Sequence, residues 1–247
     1  MSIVEMANRL KLSYIKENNE LAIQHAIDNN MSYRDFLNFL LENEILKRDE
    51  NGVYRRIKNA KFPFVKTFSE LDLNFYSADI SCKIRELQSL SFIETKQNVI
   101  LIGNSGVGKT HTAISLGIKA CNEGYSVLFI TVPNLVIELK ESMSLHQLTS
   151  YKNKFINYDL VILDELGYIS FDKEGSELFF NLLSMRNEKK PIVITSNLQF
   201  NKWKDIFNDT LLTTALVDRL VHKSHVINIK GDSYRVKETK DWLGISS

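Results

Sequence analysis

Residues 98–124, "NVILIGNSGVGKTHTAISLGIKACNEG", constrain the fold of this chain more than any other stretch. A short apolar run opens directly into a glycine-rich turn, and the turn opens into a helical pattern that closes on Gly124. Gly103, Gly108, Lys109 and Thr110 satisfy the spacing G-x-x-x-x-G-K-[ST], and they lie between strand and helix, where that motif has a mechanism. Glycines let backbone N–H groups turn inward and approach phosphate oxygens with no Cβ in the way, and the following helix adds the positive end of its dipole. Residues Gly103, Asn104, Ser105, Gly106, Val107, Gly108, Lys109, Thr110 and His111 are therefore expected to cradle a nucleoside triphosphate. Lys109 is assigned to the β- and γ-phosphates and Thr110 to Mg²⁺.

A second apolar run, "YDLVILDEL" (158–166), ends on Asp164-Glu165. An acid at the end of a buried strand beside a phosphate loop can hold Mg²⁺, and a second acid directly after it can polarise an attacking water. Asp164 is thus expected on the metal side, with Glu165 as the general base of an ATP hydrolysis. A further strand, "PIVITSN" (191–197), ends on Asn197, whose amide would orient water or the γ-phosphate if the two strands are neighbours.

Together with "SVLFITV" (126–132) and the helical segments 133–140 and 175–189, these runs alternate strand and helix, and each strand is apolar on both faces. That pattern demands an α/β fold, a mostly parallel sheet covered by helices on both sides, with ligands at the carboxyl ends of the strands. Residues 4–60 read instead as two or three helices forming a small all-helical unit, and Ser32 with Asp35 forms a weak capping box that starts a helix near Tyr33. Pro63 in "KFPF" disfavours helix at Phe62, which places the boundary between a helical N-terminal DNA- or partner-binding domain (1–65) and an ATPase domain (66–247).

Overall charge is uninformative, since 31 Lys and Arg face 30 Asp and Glu, so a nucleic-acid partner needs a local basic patch. Residues 47–66 carry seven cationic side chains against two acidic ones. Arg55, Arg56, Lys58 and Lys61 there, with Lys223, Lys230, Lys237 and Lys240 further on, are candidates for sequence-tolerant contacts to a DNA backbone; a solvated helix face is the alternative. Two readings of Arg219 also stand: an arginine reaching the nucleotide of a neighbouring subunit, or a local ion pair with Asp218 or a nearby acid. His222 and His225 lack a third ligand for a metal and are expected to pack or touch phosphate. Cys82 and Cys121, the two cysteines, have no partner at disulfide or zinc spacing and read as small apolar side chains in helices. No window approaches the length of a membrane-spanning helix and the N-terminus has no signal-peptide core, so a soluble, cytoplasmic protein with no membrane partner is expected.

Five segments occur in a familiar order: "KFPFVKTFSELDLNF", "SFIETKQNVILIGNSGVGKTHTAISLG", "YDLVILDELGY", "TSNLQFNKWKDIFND" and "TALVDRLVHKSHVINIKGDSYR". Together they resemble the IstB family of AAA+ ATPases, the ATP-binding helpers encoded beside the transposase in one class of bacterial insertion sequences. DnaC-type helicase loaders share that core. The resemblance implies an AAA+ P-loop core without a full C-terminal lid domain, about a dozen residues following Arg235. It also implies phosphate-loop roles for Lys109 and Thr110, a Walker B pair at Asp164 and Glu165, a polar sensor at Asn197, a trans-acting Arg219, and a nucleotide or DNA contact at Arg235. The implied activity is that of an ATPase stimulated by assembly, DNA or partner, which forms a homo-oligomer with ATP on double-stranded DNA and recruits the cognate transposase. A helicase loader and an ATP-gated adaptor with negligible turnover are the alternatives.

Overall fold

The computed structural model describes residues 1–231 and 233–243, without the side chains of Arg235, Lys237, Glu238, Lys240 and Asp241. In chain order the elements are α1 (Ile3–Leu10), α2 (Ser13–Asp28), α3 (Tyr33–Asn59), α4 (Ala78–Leu87), α5 (Ser91–Glu94), β1 (Asn98–Gly103), α6 (Lys109–Asn122), β2 (Val127–Thr131), α7 (Val132–Ser144) and α8 (Leu148–Asn157). They continue as β3 (Leu160–Leu166), α9 (Lys173–Arg186), β4 (Ile192–Ser196), α10 (Lys204–Phe207), α11 (Thr210–Val221), β5 (Ser224–Ile229) and α12 (Tyr234–Leu243). The chain divides into two compact units, 1–55 and 56–247.

The first unit holds α1, α2 and most of α3. Ser2 and Glu5 close a reciprocal capping box on α1, with Glu5 N–H donating to Ser2 Oγ at 3.2 Å and Ser2 N–H donating to Glu5 Oε2 at 2.8 Å. Ser32 and Asp35 start α3 at Tyr33 as its sequence pattern indicates, Asp35 N–H donating to Ser32 Oγ at 3.2 Å. Helix α2 follows Leu12, which cannot cap. Its open N–H groups are taken by a residue 30 positions on: the Glu44 carboxylate accepts from Ser13, Tyr14 and Ile15 at 2.7, 2.8 and 3.2 Å.

The second unit is built on a parallel five-stranded sheet in the order β2-β3-β4-β1-β5. Alternation along β1 sends Val99 and Leu101 into one core with α4, α5 and α6, and Ile100 and Ile102 into another with α7, α9 and α11. All six β1 residues and all five of β4 are buried, which is why these strands read as unbroken apolar runs. Strand β5 is not evident in the sequence pattern. It pairs only with β1, at the sheet edge, so "SHVINI" buries Ile227 and Ile229 while leaving His225, Val226 and Asn228 partly or fully accessible.

The division between units falls at 55/56, ahead of the 65/66 boundary expected from Pro63. Residues 56–62 are bound into the sheet unit: Arg56 Nε donates to Cys121 O at 2.7 Å, Phe129 N–H donates to Ala60 O at 2.8 Å, and the Phe62 ring lies 6.1 Å from that of Phe129. Pro63 marks the chain leaving a helix; side-chain packing sets the limit of the unit.

Candidate functional site

The parallel sheet delivers the loops after β1, β3 and β4 to its carboxyl end, and there a cavity of about 280 Å³ opens. Ser105, Gly106, Gly108, Lys109, Thr110, His111, Glu165, Thr195 and Asn197 line it. The loops after β1, β3 and β4, with Ser105 and Asn197 lying 92 positions apart, thus converge on one space, because β4 lies between β1 and β3 in the sheet.

Helix α6 begins at Lys109 behind Gly108, whose φ of 88° is left-handed and whose missing Cβ leaves room for the Tyr76 hydroxyl. No side chain caps α6, so its first N–H groups face the cavity end of the helix. Lys109 is nearly buried, and its Nζ donates to Gly103 O at 2.8 Å and Asn104 O at 2.6 Å. The ammonium is therefore stored against the turn that phosphates would occupy. His111 also lines the cavity, with its Nε2–H donating to Thr67 O at 3.1 Å.

Thr110 Oγ1 donates to Asp164 at 3.0 Å (Oδ1) and 3.2 Å (Oδ2). Burial pushes the Asp164 carboxyl up from its ordinary value, while hydrogen bonds from Thr195 and Thr110 and the Lys109 cation pull against that rise. A hydroxyl and a carboxylate side by side are the hard oxygen donors that Mg²⁺ takes, commonly one or two from protein with phosphates and waters completing its octahedron. Consistent with that economy, no cluster of three or more His, Cys, Asp or Glu able to hold a metal occurs among the described residues.

Glu165 follows in a left-handed conformation (φ 65°), and Gly167 (φ 117°) turns the chain away. A Cβ on Gly167 would sit 2.6 Å from Asn197 Oδ1. That Oδ1 is buried with no hydrogen-bond partner among the described residues, in a side chain that lines the cavity.

Arg219 is not brought to this cavity. It is exposed on α11, donates to Ser184 Oγ and lies with its guanidinium 4.8 Å over the Phe180 ring, so α9 supports it and Asp218 does not. His222 and His225 lie at the amino end of the sheet, opposite the phosphate loop: His222 is 3.9 Å from Glu188, and His225 Nε2 is 3.1 Å from Gln97 Oε1. Neither lines the phosphate-loop cavity of its own chain. Lys223, left-handed at φ 51°, is exposed at the same end, and Lys230 is exposed just after β5.

The other basic candidates divide. Arg55 and Lys58 are exposed on α3, and Lys61 is exposed 3.8 Å from Glu138, whereas Arg56 is committed to the Cys121 carbonyl and is withdrawn from the set. The side chains of Arg235, Lys237 and Lys240 lie outside the described residues. Cys121 is buried in α6, where burial pushes its thiol up to about 11, and Cys82 is exposed on α4, contrary to its expected packing.

Residues to which the sequence assigns no role of their own complete the cavity. Tyr76 donates to Val107 O at 3.1 Å and so braces the phosphate loop; burial pushes its hydroxyl up to about 12. Phe75 and Tyr234 meet edge to face at 5.3 Å, and both line the cavity with Leu71 and Tyr168. Thr195 was hidden inside an apolar strand. Its one signal is alternation: two residues before Asn197, it faces the same side.

A nucleotide-loop cavity at the carboxyl end of this sheet can be set beside known proteins. Residues 5–241 match the family model of IstB-like ATP-binding proteins. The chain belongs to that family. It is 39% identical over 235 residues to the ATP-binding protein of insertion sequence IS21 from Pseudomonas aeruginosa, covering 95% of this chain and 89% of that one. With the ATP-binding protein of insertion sequence IS5376 from Geobacillus stearothermophilus it shares 37% over 238 residues, 96% of this chain and 95% of the other. Among solved structures, AMPPCP-bound DnaA from Aquifex aeolicus aligns with a TM-score of 0.58 at 18% identity, over 75% of this chain and 57% of that one. A DnaC helicase loader aligns at 0.54 and 21%, over 74% and 99%. These two likenesses show the fold of an AAA+ P-loop core. The IstB-like chain is thus an ATP-binding AAA+ protein, and no helix among its described residues is long and apolar enough to cross a membrane.

Proposed function

We propose that this IstB-like protein is a Mg²⁺-dependent ATPase of the cytoplasm that assembles as a homo-oligomer on double-stranded DNA and recruits the transposase of an insertion sequence. The observation that carries this reading is the division of the machinery. Lys109, Thr110, Glu165 and Asn197 line one cavity, with Asp164 hydrogen-bonded to Thr110 behind it, while Arg219 stands exposed and supported outside it. An arginine held ready at a distance from its own nucleotide suits delivery to a neighbour's, so that turnover depends on assembly.

In this mechanism Lys109 exchanges its loop carbonyls for the β- and γ-phosphates, and Thr110 and Asp164 would hold the cation. Bound Mg²⁺ supplies neutralisation of charge on the phosphate oxygens. Glu165 takes a proton from the attacking water, and Asn197 Oδ1 accepts its other hydrogen and fixes its direction. Arg219 of one subunit offsets the charge that develops in the next. Arg55, Lys58, Lys61, Lys223 and Lys230 supply exposed cations for a DNA backbone, with Arg235 as a further candidate for nucleotide or DNA; salt would weaken such binding steeply. The insertion-sequence setting of the two relatives supports a transposase as partner.

The test is ATP turnover and molecular mass of the full chain with and without duplex DNA, beside Glu165→Gln. ATP- and DNA-dependent assembly, with turnover that rises with it and falls by about 10²–10³ in the variant, supports the reading. A chain that stays monomeric on DNA and hydrolyses nothing removes it in favour of a loader or an adaptor.

A further inference from the structure

The two acids after β3 are adjacent in sequence, and in a regular strand adjacent side chains point to opposite faces. A β-bulge resolves this. Leu163 pairs with Ile194 and Leu166 pairs with Ser196, so two residues of β3, Asp164 and Glu165, stand opposite a single residue of β4. That residue is Thr195.

Its hydroxyl does two things at once. Thr195 Oγ1 donates to Asp164 Oδ1 at 2.5 Å, and it accepts the Glu165 N–H at 3.1 Å. The second bond replaces the ladder partner that the bulge removes, and it falls on a residue whose left-handed backbone is unfavourable for anything but glycine. Thr195 is buried in the central part of the sheet between β3 and β1, with Leu101 as its partner on the other side. Its branched Cβ restricts the rotamer, so the hydroxyl keeps one direction. Thr110, a second side-chain donor to Asp164, is the one that turns to the cation in the proposed mechanism; Thr195 is the side-chain donor that remains, beside the Glu165 backbone N–H.

We infer that Thr195 is the positioning residue of the acid pair: through one hydroxyl it aims the Asp164 carboxylate and holds Glu165 in its left-handed turn. The role of the two acids rests on the ATPase reading, but the geometry assigned to Thr195 does not.

The decisive measurement is therefore made on the full chain without nucleotide or metal: the hydrogen-exchange rate of the Glu165 amide in wild type, Thr195→Val and Thr195→Ser. The isosteric valine should speed exchange by about tenfold or more, and the serine should retain most of the protection. Beside it, the gain in affinity for a fluorescent ATP analogue when Mg²⁺ replaces EDTA should shrink several-fold in the valine variant and survive in the serine. Affinity in EDTA and the melting temperature report folding. If valine does not fold, Thr195→Ala makes the same comparison without added bulk. Unchanged Glu165 exchange in a folded hydroxyl-free variant overturns the inference, as does a serine variant as impaired as valine, which would show packing at work. Absence of Mg²⁺-dependent turnover in the wild type would instead sink the ATPase reading and leave the exchange comparison standing.

Discussion

The helical unit 1–55 and the sheet unit 56–247 solve the same problem, where to put apolar side chains, in opposite ways. In the sheet unit β1, β3 and β4 bury nearly every residue, and the polar side chains Thr195, Ser196 and Asp164 enter the interior with hydrogen-bond partners. In the helical unit only Ala7, Ala22, Glu44 and Gly52 are buried, while Ile3, Leu10, Leu21, Ile27, Leu37, Leu41 and Ile45 remain exposed. Two alanines supply little hydrophobic stabilisation, so the helical unit leans on caps and one buried carboxylate. Rigidity is thus concentrated where phosphates must be held to a fraction of an ångström, and the helical unit keeps its apolar side chains on the surface.

The sharpest way to break this comparison is at the phosphate loop. Lys109→Ala removes the cation stored against Gly103 and Asn104, and ATP affinity should fall by about 100-fold or more in a titration calorimeter, with the melting temperature little changed. A residual affinity near wild type would mean the loop binds through its backbone alone. Next in size, amide exchange should be slower in β1, β3 and β4 than in α1 and α2 by about 10³-fold. Comparable rates would show the helical unit to be as well anchored as the sheet.

Within the helical unit, Glu44→Ala leaves three N–H groups of α2 without their acceptor. It should cost about 1–3 kcal/mol locally, seen as faster exchange at residues 13–15, with ATP affinity unchanged. The smallest effect is expected at the amino end of the sheet. Asp159 accepts from Ser126 N–H at 2.9 Å and Ser126 Oγ at 2.7 Å and pairs with Lys190 at 2.9 Å. Burial alone would push its carboxyl up, yet these bonds and the Lys190 charge outweigh it and hold the carboxyl below the usual range. A lowered folded value contributes stability above the unfolded one and loses it as pH falls through the folded one. Asp159→Asn should therefore lower the melting temperature by about 3 °C at pH 7, with the gap to wild type closing below about pH 4.

Much of this was legible in the sequence because it is local. The loop from Gly103 to Thr110 announces itself by spacing, and β1, β3 and β4 by unbroken apolar runs. Ser32 and Asp35 place the start of α3 within a few residues of themselves. What escaped depends on neighbours far along the chain. Strand β5 exists because β1 offers it an edge, Arg56 is committed because a carbonyl 65 residues away accepts from it, and Glu44 caps a helix 31 residues before it. Tyr76 and Thr195 carry no spacing of their own, since their work is defined by Val107, Asp164 and Glu165.

Residue type and short-range period are enough to write the nucleotide loop, the parallel character of the sheet and the family. Long-range packing is what makes two adjacent acids share one threonine, leaves Arg219 outside its own cavity, and divides the chain at Arg55 and Arg56. Those are properties of packing, where a side chain's partner is fixed by which strands and helices come to lie side by side, and no local pattern encodes that.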